Sequence, residues 1–217
     1  MNITHVNETE IYGDKLEAIF NRQKELMTKY HDIEERSGLL QTSDCPVNLD
    51  DKKGQARLKD FAWRITEEVG EAIDAKVDND ILHFKEELID GLHFLTEFSI
   101  LSGFTPSMLV PDEQVVEGKE DRLDAICDMY RGSQAKDEDL VYYRNHIRFL
   151  GMTCNCLKNK PWKQSMMMTD KNNFYKHLTM VWENYISLLT IYMDSVEIYQ
   201  TYFKKSEVNK FRQRSNY

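Results

Sequence analysis

Glu68-Val69-Gly70-Glu71 and Glu87-Leu88-Ile89-Asp90 each place two acids three residues apart, so on a helix each pair shares one face. Between them, Lys76-Val77-Asp78-Asn79-Asp80 is polar and rich in turn-forming residues. Glu71 and Glu87 are equidistant from Asn79, and so are Glu68 and Asp90. A chain that reverses at Asn79 brings four carboxylates from two antiparallel helices into one small volume. Carboxylates that close raise one another's pKa unless a cation stands among them. An all-oxygen ligand set suits a hard ion, Mg²⁺ or Mn²⁺.

Solvated helix faces are the competing explanation. Charged residues make up 30% of the chain, and Glu-x-x-Glu on an exposed face is common. Two features weigh against it. Solvated faces have no reason to mirror each other about a turn. The acids are also flanked by Phe61, Trp63, Ile65 and Val69 on one side and Leu88, Ile89, Leu92 and Phe94 on the other, which places them beside a buried seam.

Charge and composition exclude several classes. A formal net charge of −9 argues against broad nucleic-acid binding, which needs a basic face. No apolar run approaches the length that crosses a bilayer. Met1-Asn2-Ile3-Thr4-His5 lacks the basic start and apolar core of an export signal. Cys45, Cys127, Cys154 and Cys156 have neither metal nor disulfide spacing, so reduced thiols in a cytoplasm are expected. Met166-Met167-Met168 reads as core or helix-start packing. The last fourteen residues run the other way in charge: Lys204, Lys205, Lys210, Arg212 and Arg214 stand against Glu207 alone. An acidic metal centre with a basic tail suits a metal-complexed polyphosphate.

Scarce Gly (9) and Pro (4) with long 3.6-residue periodicity predict an all-α helical bundle, one domain over 1–217. Helices are expected over about 13–30, 57–76, 81–102, 121–131, 140–157, 171–192 and, more briefly, 194–203. Residues 36–53 read as a loop, 111–138 as an insertion, and 204–217 as a phosphate-binding tail.

The motifs resemble those of the all-α nucleoside triphosphate pyrophosphohydrolases, which include the dimeric dUTPases, phage dCTPase-dUTPases and MazG-like enzymes. Glu68-x-x-Glu71 with Glu87-x-x-Asp90 marks the superfamily. Glu87-Leu88-Ile89-Asp90-Gly91-Leu92-His93-Phe94 is similar to the dimeric dUTPase segment whose acids are followed by His-Phe at the base pocket. Asn21-Arg22-Gln23-Lys24-Glu25-Leu26 is similar to its first-helix motif, and Lys204 to Tyr217 to its C-terminal Lys-…-Asn-x-Phe-Arg-Gln-…-Tyr motif. Leu157 to Lys163 also resembles a segment of bacterial and phage members. The resemblance spans residues 16–217 and is weakest over 104–138. Two positions depart from it: Ser206 stands where an asparagine often follows the motif lysine, and Arg214-Ser215-Asn216 where protozoan relatives carry Asp-Asn-Gly.

That resemblance implies hydrolysis of dUTP, and of dUDP, to dUMP, with pyrophosphate released from dUTP. Such an enzyme clears dUTP from the nucleotide pool and supplies dUMP for thymidylate synthesis. Glu68, Glu71, Glu87 and Asp90 would hold two or three Mg²⁺ ions, with Mn²⁺ as a substitute. Glu71, beside Glu68, would orient and deprotonate the water that attacks the β-phosphorus. Lys205 and Arg212 would meet the phosphates, with Lys204, Lys163 and Arg214 as weaker candidates, while Asn209 and Tyr217 contact sugar or phosphate. Gln23 would read the uracil edge, Phe94 and Trp63 would supply apolar surface, and His93 would act through its backbone or ring. Phe94 would also sense the missing 2′-hydroxyl by crowding the sugar. A homodimer is implied as well.

Substrate choice stays open in the sequence. A glutamine side chain can flip, so Gln23 does not separate dUTP from dCTP, and a broader MazG-like range remains an alternative. A helical interaction protein that has lost activity and serves as partner to a regulator is the reading from another class. Retention of all four acids speaks against it.

Overall fold

The computed structural model describes residues 13–112, 121–131 and 139–214. Among them are eight α-helices and no strand: α1 (Lys15–Arg36), α2 (Lys52–Val77), α3 (Ile81–Ser102), α4 (Pro106–Leu109), α5 (Arg122–Met129), α6 (Asp139–Cys156), α7 (Lys171–Tyr192) and α8 (Ser195–Arg214). No helix among the described residues is long and apolar enough to cross a membrane.

The bundle is organised around α3. From Glu87 to Ser102 every residue is buried except Asp90 and Phe94, which are half-buried. A helix apolar on nearly all sides must be enclosed, and α1, α2, α7 and α8 pack around it. α2 and α3 form the antiparallel pair expected from the acidic motifs. Their turn is tight because Asn79 adopts the left-handed conformation (φ 59°) that asparagine tolerates better than most residues. Asp80 then caps α3 by accepting from the His83 amide at 3.0 Å.

Close approach on the other side of α3 depends on Gly91. A Cβ there would run into the Tyr185 hydroxyl of α7, which donates to the Leu88 carbonyl at 2.7 Å. Trp182 of α7 adds a second link, its Nε1–H donating to Ser99 Oγ at 2.9 Å. α3 is thereby pinned along its length. Its acidic face stays turned toward α2 and its His93 face toward α1 and α8.

Several boundaries differ from the sequence expectation. α1 continues to Arg36, and α2 begins at Lys52, where Asp51 caps it, so the intervening loop is shorter than 36–53. The larger correction concerns the chain's end. Residues 204–214 are not a tail after a short helix but the second half of α8. No Gly or Pro interrupts them, and α1 gives them a surface to dock on. Arg22 Nε donates to Ser206 Oγ at 2.8 Å, Lys210 Nζ lies 2.9 Å from Glu25 Oε2, and Gln213 Nε2 donates to the Leu26 carbonyl at 3.4 Å. Apolar periodicity fades after Phe203, which is why the sequence pattern stops short. Within 111–138, the described α5 packs into the bundle: Leu123, Ile126 and Cys127 are buried, and Lys15 of α1 pairs with Asp121 and Asp124. Tyr217, along with Ser215 and Asn216, lies outside the described residues.

Candidate active site

A cavity of about 260 Å³ opens between α1, α2, α3 and α8. α1 lines it with Gln23, Leu26, Tyr30 and Glu34, and α2 with Arg64 and Glu68. α3 contributes Asp90, His93, Phe94 and Glu97, and α8 contributes Asn209 and Arg212. The two residues between Glu87 and Ser102 that escape full burial, Asp90 and Phe94, are therefore cavity residues. Asp90 and Glu97 mark its two ends along α3, ~10 Å apart at 1.5 Å per residue.

At the Asp90 end, carboxylate oxygens of Glu68, Glu71 and Glu87 all lie within 4.8 Å of one another. Asp90 is not part of that group, although the symmetric spacing predicts that it should be. Its Oδ2 instead meets Lys205 Nζ of α8 at 2.7 Å, with Glu86 at 3.9 Å from the same ammonium. The ion pair draws Asp90 toward α8, and the group forms around Glu87. Burial, a hydrogen bond shared with Glu87, and the charges of Asp90, Glu87 and Glu71 together push the Glu68 carboxyl up to about 8. Burial likewise raises Asp90, and Lys205 opposes it. A Glu68 carboxyl raised by burial and by its acidic neighbours marks a site short of positive charge, and the oxygen donor set fits a hard divalent cation. Glu68, Glu71 and Glu87 could hold it, with Asp90 adjacent.

At the Glu97 end the side chains bond one another, leaving His93 Nε2 buried without a partner among the described residues. Gln23 Oε1 accepts from the Tyr202 hydroxyl at 2.7 Å and from His93 Nδ1–H at 2.9 Å. Gln23 Nε2 donates to Glu97 Oε2 at 2.8 Å. His93 stacks on Tyr202 with ring centroids 3.8 Å apart. Burial lowers the His93 pKa to about 3, so the ring is neutral, and raises Glu97 to about 7 against the pull of its Gln23 hydrogen bond and of Arg57 and Arg64. Between the two ends, Phe94 packs edge-on to Phe61, and the Arg64 guanidinium lies over both rings. Glu34 fixes Arg64 at 3.2 Å and Arg57 at 2.9 Å.

Of the residues singled out from sequence, Gln23, Glu68, Asp90, His93, Phe94, Asn209 and Arg212 share this cavity, and Glu71, Glu87 and Lys205 border it through Glu68 and Asp90. Trp63 does not join them. Its side chain is 63% exposed and its Nε1–H donates to Glu67 at 2.6 Å, because 63 lies on the side of α2 opposite the face shared by Phe61, Ile65 and Glu68. Lys163, Lys204 and Arg214 are also exposed and apart from the cavity. Sequence reasoning missed Glu97 and Tyr202. Glu97 carried a usable signal, since it sits two turns past Asp90 on the same helix face. Tyr202 carried none, being 179 residues from Gln23 in sequence.

A family model described as dUTPase matches residues 15–217, from the first residue of α1 onward. Neither a curated protein nor a solved structure matches the chain.

Proposed function

The chain belongs to the all-α dUTPase family and is a dUTP diphosphatase, and from that premise we propose that the cavity binds a Mg²⁺-complexed deoxyuridine nucleotide with its phosphates at the acidic end. The observation that carries this is one cavity with three converging carboxylates at one end and a fixed amide at the other. Glu68, Glu71 and Glu87 would hold the cation, with Asp90 adjacent to join them and Lys205 to meet the phosphates. Bound there, Mg²⁺ supplies positive charge to the phosphates and acidity to water. Mn²⁺ satisfies the same donors.

Glu71, exposed at the mouth, orients the attacking water and takes its proton. The water oxygen adds to the β-phosphorus and the bond from that phosphorus to the bridging oxygen breaks. dUMP leaves with the bridging oxygen, and pyrophosphate leaves with the oxygen of water. Because the γ-phosphate takes no part in bond making, dUDP reacts by the same path and yields inorganic phosphate. Arg212 and Lys205 of α8 neutralise the phosphates, Asn209 contacts sugar or phosphate, and Phe94 packs against base and sugar. A homodimer is part of this reading, on the family resemblance.

A panel of deoxy- and ribonucleoside di- and triphosphates, with Mg²⁺ or with EDTA, tests the assignment by phosphate and pyrophosphate release. Turnover of dUTP and dUDP that vanishes in EDTA is expected. Equal turnover of all purine and pyrimidine triphosphates, or full activity in EDTA, overturns it.

A further inference from the structure

We propose that Glu97 is a positioning residue that holds the Gln23 amide in one polarity, and that this makes the site select uracil over cytosine. The inference rests on the nucleotide being placed with its base at the Gln23 end. It answers what the sequence leaves open, because a free glutamine can present either its carbonyl or its amino group.

Three groups grip the Gln23 amide, and they differ in kind. The Tyr202 hydroxyl can donate or accept by rotating, and neutral His93 can do either by moving its proton between ring nitrogens. Both would tolerate a flipped amide. An ionised carboxylate can only accept, so Glu97 Oε2 at 2.8 Å requires the Nε2 end of Gln23. Glu97 alone among the three therefore imposes a direction. It is 4% exposed, so water does not substitute for the lost partner if the amide turns over.

With that direction imposed, the hydrogen-bonding positions of Gln23 are nearly spent. Both lone pairs of Oε1 are taken and one Nε2–H is taken, which leaves a single N–H donor on a residue that lines the cavity. Uracil and cytosine share the acceptor at position 2 and differ at position 3, an N–H donor in uracil and a bare acceptor nitrogen in cytosine, and at position 4. Uracil has a carbonyl acceptor there, and cytosine has an amino donor. A donor fixed opposite position 4 pairs with uracil and opposes cytosine hydrogen to hydrogen. A site that hydrogen-bonds its substrate in this way discriminates far better than an apolar pocket.

The test compares kcat/KM for dUTP and dCTP in wild type and Glu97→Gln, at pH 8.5 so that the carboxylate is ionised. Glutamine at 97 has nearly the same shape but can donate as well as accept, so it frees the Gln23 amide to flip. The dUTP-to-dCTP ratio is expected to fall about thirtyfold, mainly through faster dCTP turnover and a lower KM for dCTP. Tyr202→Phe is the contrast: it weakens handling of both nucleotides together and moves the ratio by less than about threefold. Should Glu97→Gln fold poorly by circular dichroism and melting, Glu97→Met removes the acceptor without burying a new polar group, and it too must lower the ratio. A folded variant at 97 with an unchanged ratio overturns the lock, as does a ratio change equally large in Tyr202→Phe. A wild type that hydrolyses both nucleotides equally also overturns it while leaving the hydrolase assignment standing. A wild type that hydrolyses neither removes the functional assignment itself.

Discussion

The two ends of the cavity solve opposite problems. At the Asp90 end, Glu68, Glu71 and Glu87 crowd together with no lysine or arginine paired to them among the described residues; His83 Nδ1 lies 3.1 Å from Glu87, and Lys205 is held by Asp90 and Glu86. At the Glu97 end, Gln23, His93, Glu97 and Tyr202 meet most of one another's hydrogen-bonding needs before any ligand arrives, sparing one Gln23 N–H and His93 Nε2. The first end is unfinished and gains from an added charge. The second is nearly finished and gains nothing from rearranging. A site that must admit a cation and a phosphate chain yet recognise one base combines both: repulsion where the ligand supplies what is missing, rigidity where identity is read.

The largest expected effect follows from that contrast. Glu87 is 6% exposed and shares a hydrogen bond with Glu68. Glu87→Gln removes one of three converging carboxylates, and kcat/KM for dUTP should fall ~10³-fold or more as charge neutralisation at the phosphates is lost. Melting in EDTA should move the other way, up by about 1 kcal/mol, because the substitution relieves repulsion between buried acids. A variant that loses activity and stability together would mean the acids hold the fold rather than strain it.

An intermediate effect is the pH dependence of stability without metal. Glu68 has an ordinary pKa of 4.5 and is raised to about 8 in the fold, chiefly by burial and then by Glu87 and the neighbouring charges. The folded protein keeps a proton that the unfolded chain gives up, so this group's contribution is present below pH 4.5 and is lost as pH rises toward 8. Glu97, raised to about 7 by burial, acts in the same direction. His93 has the opposite sign. Lowered from 6.5 to about 3 by burial, it stays neutral in the fold while the unfolded chain takes up a proton, so stability falls as pH drops below 6.5. Thermal melts in EDTA should therefore peak near about pH 4.5, where the gain from His93 balances the loss from the two carboxyls, and decline above it. They should lose roughly 1–2 kcal/mol by pH 8, and Mg²⁺ should recover most of that loss. Glu68→Gln should flatten the alkaline side and leave the acid side intact. A wild-type profile flat from pH 5 to 8 would break the contrast between the two ends.

The same contrast explains what the sequence could disclose. The acidic end is written in local spacing: two i, i+3 pairs and a turn at Asn79, all within 23 residues and all on α2 and α3. Periodicity and symmetry about a turn recover it almost entirely. What they miss is that Asp90 leaves the group for Lys205, since that depends on where α8 lies. The Gln23 end is assembled from α1, α3 and α8, and no spacing rule joins residue 23 to residue 202. Trp63 shows the converse failure. It is a large apolar residue near the motif, but an aromatic's usefulness turns on which face of the helix it occupies, and 63 faces outward. The extension of α8 to Arg214 was hidden for a related reason. Its docking is polar, through Ser206, Lys210 and Gln213, and polar docking leaves no apolar stripe to read.

The smallest expected effect probes the finished end. Tyr202→Phe keeps the ring stacked on His93 at 3.8 Å and removes only the hydroxyl that donates to Gln23 Oε1. The loss leaves Oε1 with His93 Nδ1–H as its remaining donor, so the buried carbonyl is under-satisfied rather than abandoned. The cost should be about 1 kcal/mol, at the low end for a buried hydrogen bond, or ~3 °C in melting temperature for a chain of this size. Unlike Glu87→Gln, this variant should lose stability equally in EDTA and in Mg²⁺, because nothing at the Glu97 end waits for the cation. A Tyr202→Phe protein whose deficit disappears when Mg²⁺ is added would show that the two ends are coupled, and the division of labour between them would have to be given up.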